Sequence, residues 1–273
     1  MKDSGDIRRL VERIQSLPTL PGSITRITKL LDNSDTTANE VGKEIEADQV
    51  LSAKVLKLVN SGFYGFSQPI STIPHAMVLL GFEVVKTLVL STTVLDMMSR
   101  SMAGLWQHSL ACARTCGIIA RHIDLDDPEE TSVIGLLHDL GKVVLEEHLA
   151  EQFSEVARVI DEENTLFYEA EERVLGVTQA NVGGWLLDKW QLPSNLVEPI
   201  MYHHNFHPSR THAERTAVVH LADILVRAEG YGSGGDRRIP VISNEALKTL
   251  DLSMEDIREV MDAMQDEIRD IVR

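Results

Sequence analysis

The chain has 273 residues, of which 43% are hydrophobic and 25% charged, and its formal net charge is −16. This charge argues against a nucleic-acid-binding protein, because neutralising phosphates requires a basic surface, and it disfavours an anionic membrane surface as a partner. No apolar run is as long as a membrane span, and the N-terminus MKDSGDIRRL is too charged for a signal peptide, so we expect a cytoplasmic protein.

The first hundred residues have the periodicity of amphipathic helices. Residues 37–40 (TANE) form a capping-box pattern that predicts a helix start, and residues 72–74 (TIP) predict another helix, which Gly81 ends. No strand-like alternation bounded by hairpin turns is present, so the sequence predicts an all-α fold of about a dozen helices. The first two predicted helix faces consist of Ile7, Leu10, Val11, Ile14 and Leu17, and of Ile24, Ile27, Leu30 and Leu31.

A boundary between two helical units is predicted near residues 99–104, where the small and polar stretch SRSMAG separates two apolar helices. Residues 1–98 form the predicted N-terminal helical unit, and residues 99–230 form the second unit. Residues 231–273 are predicted to hold a flexible glycine-rich loop and C-terminal amphipathic helices that pack on the chain's own core. Beyond the boundary, helices are predicted at roughly 105–122, 128–139, 141–163, 166–175, 179–190, 194–204 and 212–229, and from Ser253 onwards.

Two local patterns in the second unit carry further structural predictions. Residues 127–130 (DPEE) indicate a helix start, because aspartate can cap a helix, proline fits its first position and acids favour its first turn. Cys112 and Cys116 lie one turn apart on one face of a predicted helix. This spacing favours a reduced, buried pair over a disulfide framework.

The distribution of the ten histidines points to a metal site, since only His75 lies in the first hundred residues. Imidazole and carboxylate groups together suit Zn, Fe, Mn or Ni, and this mixed donor set does not choose among them. Any single histidine is more often a packed or surface residue than a ligand, and it is the ordered set that favours a site. The candidate ligands are His108, His138, Asp139, His203, His204 and Asp223.

The adjacent pair His138-Asp139 can reach one ion if the helix breaks there, and Gly141 is placed to break it. Donors from distant helices would let a metal join a helical bundle through its core. A bound metal can lower the pKa of water and generate a nucleophile, and Lys142 can hold a substrate phosphate as a point charge. His220, one turn from Asp223, is either its hydrogen-bonding partner or simple packing.

The second half of the chain resembles the HD superfamily of metal-dependent phosphohydrolases, whose pattern is a histidine, then His-Asp, then a distant aspartate. Together with the first half, roughly residues 10–230 resemble an HDOD domain, a generally non-catalytic relative of the HD and HD-GYP phosphodiesterases that often acts through protein contacts. The resemblance implies an all-α HDOD fold, with an N-terminal helical unit packed on an HD-like bundle, and a role in bacterial signal transduction or regulation. It rests on the motifs LPTLPGSITRITKLLD, IEADQVLSAKVLKLVNSGFYG, PISTIPHAMVLLGFEVVKTLVLS, LWQHS, LLHDLGK, LLDKWQLPSNLVEPIMYHH and HLADIL.

The chain departs from the HD-GYP pattern at two places. After His203-His204, where an HD-GYP enzyme has a glutamate and a glycine-rich GYP loop, this chain continues with residues 205–208 (NFHP), so cyclic di-GMP hydrolysis of that type is not expected. Gln179 stands where relatives commonly place a histidine ligand, and neutral glutamine is a weak ligand for a transition metal. A one-metal set remains, which the histidine pair can extend or support: His108, His138, Asp139 and Asp223.

Two functions of different classes stay open. The first is a regulatory module that acts through a signalling protein partner, with or without a structural metal, and the second is a metal-dependent phosphohydrolase acting on a nucleotide or phosphoester. The resemblance, the missing GYP loop and Gln179 favour the first, whereas the retained ligand set favours the second. No receiver, kinase or output domain accompanies the HDOD region, so we expect the partner to be a separate protein. Three loop aromatics, which pack on the first unit, cover the cleft between the two units or contact a partner, are Phe63, Tyr64 and Phe66.

Overall fold

The structure, a computed structural model, describes residues 36–60, 69–82, 101–190 and 192–268, together with the isolated positions 7–9, 11, 27, 30, 84–85, 87–89, 92 and 98. Across these residues the regular secondary structure is helical, which confirms the all-α prediction. None of the described helices combines the length and the hydropathy needed to cross a membrane. The helices are α1 (Ala38–Ala47), α2 (Gln49–Val59), α3 (Ile73–Leu80), α4 (Leu105–His122), α5 (Pro128–Leu137), α6 (Leu140–His148), α7 (Ala150–Glu163), α8 (Phe167–Leu175), α9 (Gln179–Lys189), α10 (Ser194–Tyr202), α11 (Ala213–Glu229), α12 (Asn244–Thr249) and α13 (Met254–Ile268).

Hydrogen bonds confirm the helix boundaries predicted in the first unit. Before α1, the Thr37 hydroxyl accepts from the Glu40 N–H at 3.3 Å, and the Glu40 carboxylate accepts from the Thr37 N–H at 2.8 Å. The Thr72 hydroxyl caps α3 by accepting from the His75 N–H at 3.3 Å. Gly81 ends α3 with a φ of 84°, a conformation that glycine adopts without steric cost.

The earlier part of the first unit is described only at isolated positions. Ile7, Val11 and Ile27 are helical and buried, and Leu30 is helical and partly buried, as their predicted faces require. The other predicted members of these two faces lie outside the described residues, and so do the three aromatic residues at 63–66. The division of the chain into two units at residues 99–104 stays a prediction.

Helix α4 lies at the centre of the second unit, and thirteen of its 18 residues are buried. It packs against α5, α11 and α13, while α6 packs against α9. Gly135 brings α5 close to α4, because a Cβ there would lie 2.7 Å from both the Cys112 carbonyl oxygen and the Cys116 Sγ. Both cysteines are free and buried, which confirms the predicted reduced pair. Side chains from several faces of α4 are therefore directed into one core.

The chain breaks at the His-Asp pair itself. Helix α5 ends directly before His138, and α6 begins directly after Asp139. The prediction that Gly141 breaks the helix is wrong, since this residue lies inside α6. A Cβ at Gly141 would lie 1.9 Å from the Gln179 carbonyl oxygen, so glycine is needed where α6 contacts the backbone of α9.

Two further details differ from the sequence predictions. The single helix predicted at 141–163 is two helices, α6 and α7, which are separated at Leu149 (φ −135°, ψ 43°). Asp127 precedes α5 as predicted, but its φ is 54° and its side chain makes no capping hydrogen bond. Proline and the following acids therefore located this helix correctly, while the capping role assigned to aspartate is wrong.

The C-terminal helix α13 packs against α4, which confirms the expectation that it covers the chain's own core. The short helix α12 lies in the region predicted to hold C-terminal helices, but its bounds were not predicted. It begins after Ser243, whose hydroxyl accepts from the Ala246 N–H at 3.4 Å. The buried residues of α13 are Ile257, Val260, Met264 and Ile268.

Candidate metal centre

All six predicted ligands meet in one cluster within the helices that follow residue 104. They come from α4, from the junction of α5 and α6, from the segment that follows α10, and from α11. Five of the six are buried, and His204 is partly exposed. The six are His108 on α4, His138 and Asp139 at the junction, His203 and His204 after α10, and Asp223 on α11.

Distances between donor atoms are short in this cluster. His108 Nε2 lies 3.1 Å from Asp223 Oδ1 and 3.6 Å from Asp139 Oδ2. His138 Nε2 lies 3.4 Å from Asp139 Oδ2 and 3.7 Å from Asp223 Oδ1. The ring centres of His138 and His203 are 5.2 Å apart. Imidazole nitrogens and carboxylate oxygens therefore face one another at spacings that allow them to share a metal ion.

Two of the histidines are oriented in the way that metal ligands usually are. The Nδ1–H of His138 donates to the Gly135 carbonyl oxygen at 2.7 Å, and the Nδ1–H of His203 donates to the Ile200 carbonyl oxygen at 2.7 Å. This bond fixes the ring and leaves Nε2 directed into the cluster. Among the described residues, His138 Nε2 is buried without a hydrogen-bond partner, so the donor set fits a metal ion.

The electrostatics of the cluster differ from one imidazole to the next. Burial lowers the pKa of His138, but the carboxylates of Asp139 and Asp223 outweigh it and raise this pKa to about 9. Burial and the neighbouring His138 lower the pKa of His203 to about 3. The negative field that attracts a proton to His138 also attracts a metal cation, and metal binding would displace that proton.

Asp139 has an internal cation as its partner. Lys142 Nζ donates to Asp139 Oδ2 at 2.8 Å and to the Gly234 carbonyl oxygen at 2.7 Å, and it lies 4.8 Å from the centre of the Phe167 ring. Burial would raise the pKa of Asp139, but His138 and Lys142 hold it well below its usual range. Substrate binding by Lys142 stays a prediction. In the structure this residue is fully buried and its ammonium already contacts a carboxylate.

Asp223 has a second internal cation, one turn further along α11. Arg227 Nε donates to Asp223 Oδ1 at 2.8 Å, and the same guanidinium pairs with Asp236. Burial would raise the pKa of Asp223, but Arg227 and His108 hold it well below its usual range. Asp236 also accepts a hydrogen bond from the Phe167 N–H at the start of α8. These contacts join α11, the loop that follows it, and α8.

The loop at residues 230–238, which we call the strap, lies over the cluster. The Ser233 N–H donates to the Gly104 carbonyl oxygen at 3.0 Å. A Cβ at Gly232 would lie 2.3 Å from the His108 backbone nitrogen, so glycine is required for this close approach. The strap also supplies the carbonyl that accepts from the buried lysine and the aspartate that pairs with the buried arginine. The predicted glycine-rich loop thus makes specific contacts with the cluster.

Three residues of the cluster were missed by sequence reasoning. Cys112 Sγ lies 3.6 Å from His108 Nε2, and burial raises the pKa of this thiol. Its position four residues after a candidate ligand on one helix was a readable signal, and Arg227 follows Asp223 by the same interval. Asp236 carries no such signal, because only the path of the strap brings it to the arginine.

Gln179 contacts the histidine pair at the other end of the cluster. Its Nε2 lies 3.4 Å from His203 Nε2 and 3.3 Å from His204 Nε2. Its backbone N–H donates to Glu171 Oε2 at 2.9 Å, and burial raises the pKa of Glu171 to about 8. A neutral side chain therefore stands beside both imidazoles.

His220 supports the site through the backbone. Its Nδ1 donates to the His203 carbonyl oxygen at 2.8 Å, and its Nε2 accepts from the Ser243 N–H at 3.0 Å. Burial lowers the pKa of His220, which favours the neutral ring that these two bonds require. Both ring nitrogens are used in these bonds, so His220 positions the segment after α10 rather than bonding to Asp223.

The chain is similar to one protein family and to several solved structures. The chain matches the family model of the HDOD domain over residues 17–206. It is 28% identical to an HDOD domain protein of unknown function from Geobacter sulfurreducens, with a TM-score of 0.73 and a match that covers 98% of this chain and 97% of that one. A provisionally assigned phosphohydrolase from Shewanella amazonensis SB2B is 20% identical, with a TM-score of 0.69 and coverage of 97% and 98%.

Two similar proteins are longer than this chain. A provisionally assigned signal transduction protein from Marinobacter aquaeolei VT8 is 22% identical, with a TM-score of 0.72, and the match covers 97% of this chain and 59% of that one. An uncharacterised protein from Treponema pallidum (strain Nichols) is 25% identical over 229 residues, which are 80% of this chain and 44% of that protein. The chain thus spans less than half the length of the Treponema relative. The structural likenesses at 20% and 22% identity establish the fold alone.

Proposed function

Because the chain belongs to the HDOD domain family, we propose that it is a bacterial signal-transduction or regulatory module that acts through contact with a protein partner and does not turn over a substrate. The observation that carries this proposal is the internal charge pairing of the cluster. Each of the two predicted carboxylate ligands already has a buried cation from the chain itself, and the strap contacts both cations.

A phosphohydrolase of the HD type would need cationic groups available to a phosphate and an open coordination position for water. Here Lys142 is held by Asp139 and the strap carbonyl, and Arg227 is shared between Asp223 and Asp236. Releasing either cation to a substrate would leave a buried carboxylate without its partner, which costs about 3–5 kcal/mol. The charge pairs therefore favour a closed unit over a catalytic one.

A residual metal ion is part of this proposal, since the buried donors fit one. His108, His138 and Asp223 would hold it, with the remaining predicted ligands beside them. The donor set suits Zn, Fe, Mn or Ni, and such an ion supplies Lewis-acid chemistry where water can reach it. Where water cannot reach the ion, the ion and these residues would instead form a cross-link between α4, the α5–α6 junction and α11.

The alternative function is a metal-dependent phosphohydrolase acting on a nucleotide or phosphoester. One observation favours it. Among the described residues, Asp139 Oδ1 and His138 Nε2 are both buried without a hydrogen-bond partner, so the HD pair retains donor atoms. Under this alternative, the strap must leave the cluster before a phosphate can contact Lys142.

A groove at the end of α3 supports contact with a partner. Val78 is 82% exposed and Leu79 is 47% exposed, and a cavity of about 360 Å³ lies between this end of α3 and the start of α5. Asp127 and Glu129 line its other side. Exposed apolar side chains beside acidic ones fit a partner segment in which an apolar residue is flanked by lysine or arginine.

Turnover in the presence of supplied metal tests the non-catalytic part of the proposal. The full chain is loaded with Zn²⁺, Mn²⁺, Fe²⁺ or Ni²⁺ and incubated with generic phosphoesters and with linear and cyclic nucleotides. We expect no turnover above that of His138→Ala treated in the same way. Turnover that is present in the wild type and lost in a folded His138→Ala variant would establish the phosphohydrolase instead.

Fluorescence anisotropy with two labelled peptides tests the partner surface. Both peptides carry one leucine, which is flanked by lysines in the first and by glutamates in the second. We expect only the basic peptide to bind, and Leu79→Ser to weaken it several-fold. Val241→Ser is the matched control, because Val241 is 90% exposed elsewhere on the chain. Equal binding of both peptides, or equal effects of the two substitutions, would rule out the groove.

A further inference from the structure

Cys112 lies in the same buried cluster as the predicted ligands, although the HD pattern contains no thiol. His108, Cys112, His138 and Asp223 each offer one donor atom, and these four atoms lie within 4.8 Å of one another. All four side chains are buried. Because Cys112 follows His108 by four residues on α4, the sulfur and the imidazole share one helix face.

The spacing of these donors suits four-coordinate geometry. Nitrogen, oxygen and sulfur donors at zinc distances and tetrahedral angles lie roughly 3.3–3.6 Å from one another. The measured separations from His108 Nε2 are 3.6 Å to Cys112 Sγ and 3.1 Å to Asp223 Oδ1. His138 Nε2 is 3.7 Å from Asp223 Oδ1. These three donor–donor distances are close to the edge lengths of a tetrahedral site, and the other three are each below 4.8 Å.

A second, independent observation points to a ligand at this place. His138 is fully buried, its Nδ1–H is bonded to a backbone carbonyl, and its Nε2 has no hydrogen-bond partner among the described residues. A buried polar atom without a partner is costly, and a bound cation would remove that cost. The orientation of this ring is the one that a metal ligand requires.

The charges of the cluster explain why a thiolate would be the remaining donor. Asp139 is paired with Lys142, and Arg227 has Asp236 as a partner besides Asp223. Each of these two pairs, Asp139 with Lys142 and Arg227 with Asp236, has no net charge. A divalent cation therefore needs two further negative ligands if the core is to be neutral. Asp223 supplies one, and a thiolate at Cys112 supplies the other, whereas a neutral thiol would leave one positive charge buried without compensation.

We propose that Cys112 completes a closed four-donor site with His108, His138 and Asp223, and that this site takes a zinc-like divalent cation as a structural cross-link. The inference rests on the residual metal of the proposed function and assigns its donors. On binding, the metal–sulfur bond replaces the S–H bond of Cys112 and a metal–nitrogen bond replaces the N–H bond at His138 Nε2, both protons go to solvent, and no electron is transferred. A thiolate favours Zn²⁺ over Mn²⁺, and four protein donors leave no position for water.

Metal titration of the full chain and two serine variants tests this assignment. Wild type, Cys112→Ser and Cys116→Ser are made metal-free with a chelator and titrated with Zn²⁺ and with Co²⁺. Cys116 is the matched control, because it is also a buried thiol on α4 and lies outside the four-donor group. We expect a thiolate-to-cobalt charge-transfer band in wild type and Cys116→Ser. Cys112→Ser should lack it and bind Zn²⁺ at least about 100-fold more weakly.

Three results would each overturn the assignment: no Zn²⁺ or Co²⁺ binding by wild type, a weak six-coordinate cobalt spectrum without a thiolate band, or equal Zn²⁺ affinity in Cys112→Ser and wild type. The wild-type cobalt spectrum decides thiolate ligation even if Cys112→Ser fails to fold. Turnover by a protein with the thiolate band would overturn the regulatory proposal and the closed, structural character of the site, and it would leave thiolate ligation standing. Absence of both turnover and the band would sink the thiolate assignment alone.

Discussion

The histidines and the aspartates of the buried cluster differ in the groups with which they are paired. On the imidazole side, His138 and His203 each donate Nδ1–H to a backbone carbonyl and direct Nε2 inward, as metal ligands do. On the carboxylate side, Asp139 and Asp223 each lie 2.8 Å from a buried cation of the chain. Two imidazoles are thus oriented as metal ligands are, while the chain's own lysine and arginine are already paired with the two carboxylates.

The largest loss of stability is expected from Arg227→Met, which removes the cation shared by Asp223 and Asp236. Two carboxylates would then be buried with one fewer positive charge, so we expect a loss of about 5 kcal/mol in the free energy of unfolding. Chemical denaturation at neutral pH measures it. The control is Arg158→Met, whose side chain is 53% exposed and paired with surface glutamates, and which should change stability by less than about 1 kcal/mol.

Similar losses in Arg227→Met and Arg158→Met would mean that the buried pairs of Arg227 contribute no more to stability than surface ion pairs do. The double variant Arg227→Met/Asp236→Asn distinguishes lost pairing from lost packing, because it removes one of the two orphaned charges. It should recover part of the stability that Arg227→Met loses. No recovery would show that the packing of the arginine stem, and not its charge, stabilises this side of the cluster.

A smaller loss, about 3 kcal/mol, is expected from Lys142→Met, which leaves one buried carboxylate without its cation. Added Zn²⁺ should return part of that loss, because Asp139 then becomes available to the metal. Thermal unfolding with and without Zn²⁺ measures both effects. Lys248→Met, at an exposed position on α12, is the control, and it should keep wild-type stability and gain from added Zn²⁺ only what wild type gains. A Lys142→Met protein as stable as the control would contradict the proposed charge pairing.

The sequence predicted the ligand cluster better than it predicted the strap and the charge pairs that lie over it. His108 and Asp223 could be identified because each lies in a short motif on a strongly periodic helix. Asp236 could not, because no local pattern connects it to an arginine nine residues earlier, and only the path of the strap brings them together. Gly141 was assigned the wrong role because a glycine after a helix-end motif can either break a helix or allow close contact, and the sequence does not separate the two.

Glu171 provides a third buried carboxyl group, and it differs from Asp139 and Asp223 in a way that sharpens the comparison. It accepts one hydrogen bond from the Gln179 N–H, its Oε1 has no partner among the described residues, and burial raises its pKa to about 8. Carboxyls with a cation partner in this core therefore have lowered pKa values, and this one has a raised value. At neutral pH Glu171 is held mostly as the neutral acid.

The smallest expected effect is the pH dependence that Glu171 imposes, and Glu171→Gln isolates it. The folded pKa of about 8 lies above the ordinary value of 4.5, so the unfolded chain ionises first and this group lowers stability as pH rises from 4.5 to 8. The variant lacks that titration. Between pH 6 and pH 7.5 the free energy of unfolding of Glu171→Gln should rise relative to wild type by about 2 kcal/mol. Urea denaturation across this range measures it, and Glu155→Gln on the surface of α7 is the control. A pH-independent difference would mean that Glu171 is ionised in the fold, and that burial without a cation is no obstacle to a charged carboxylate in this core.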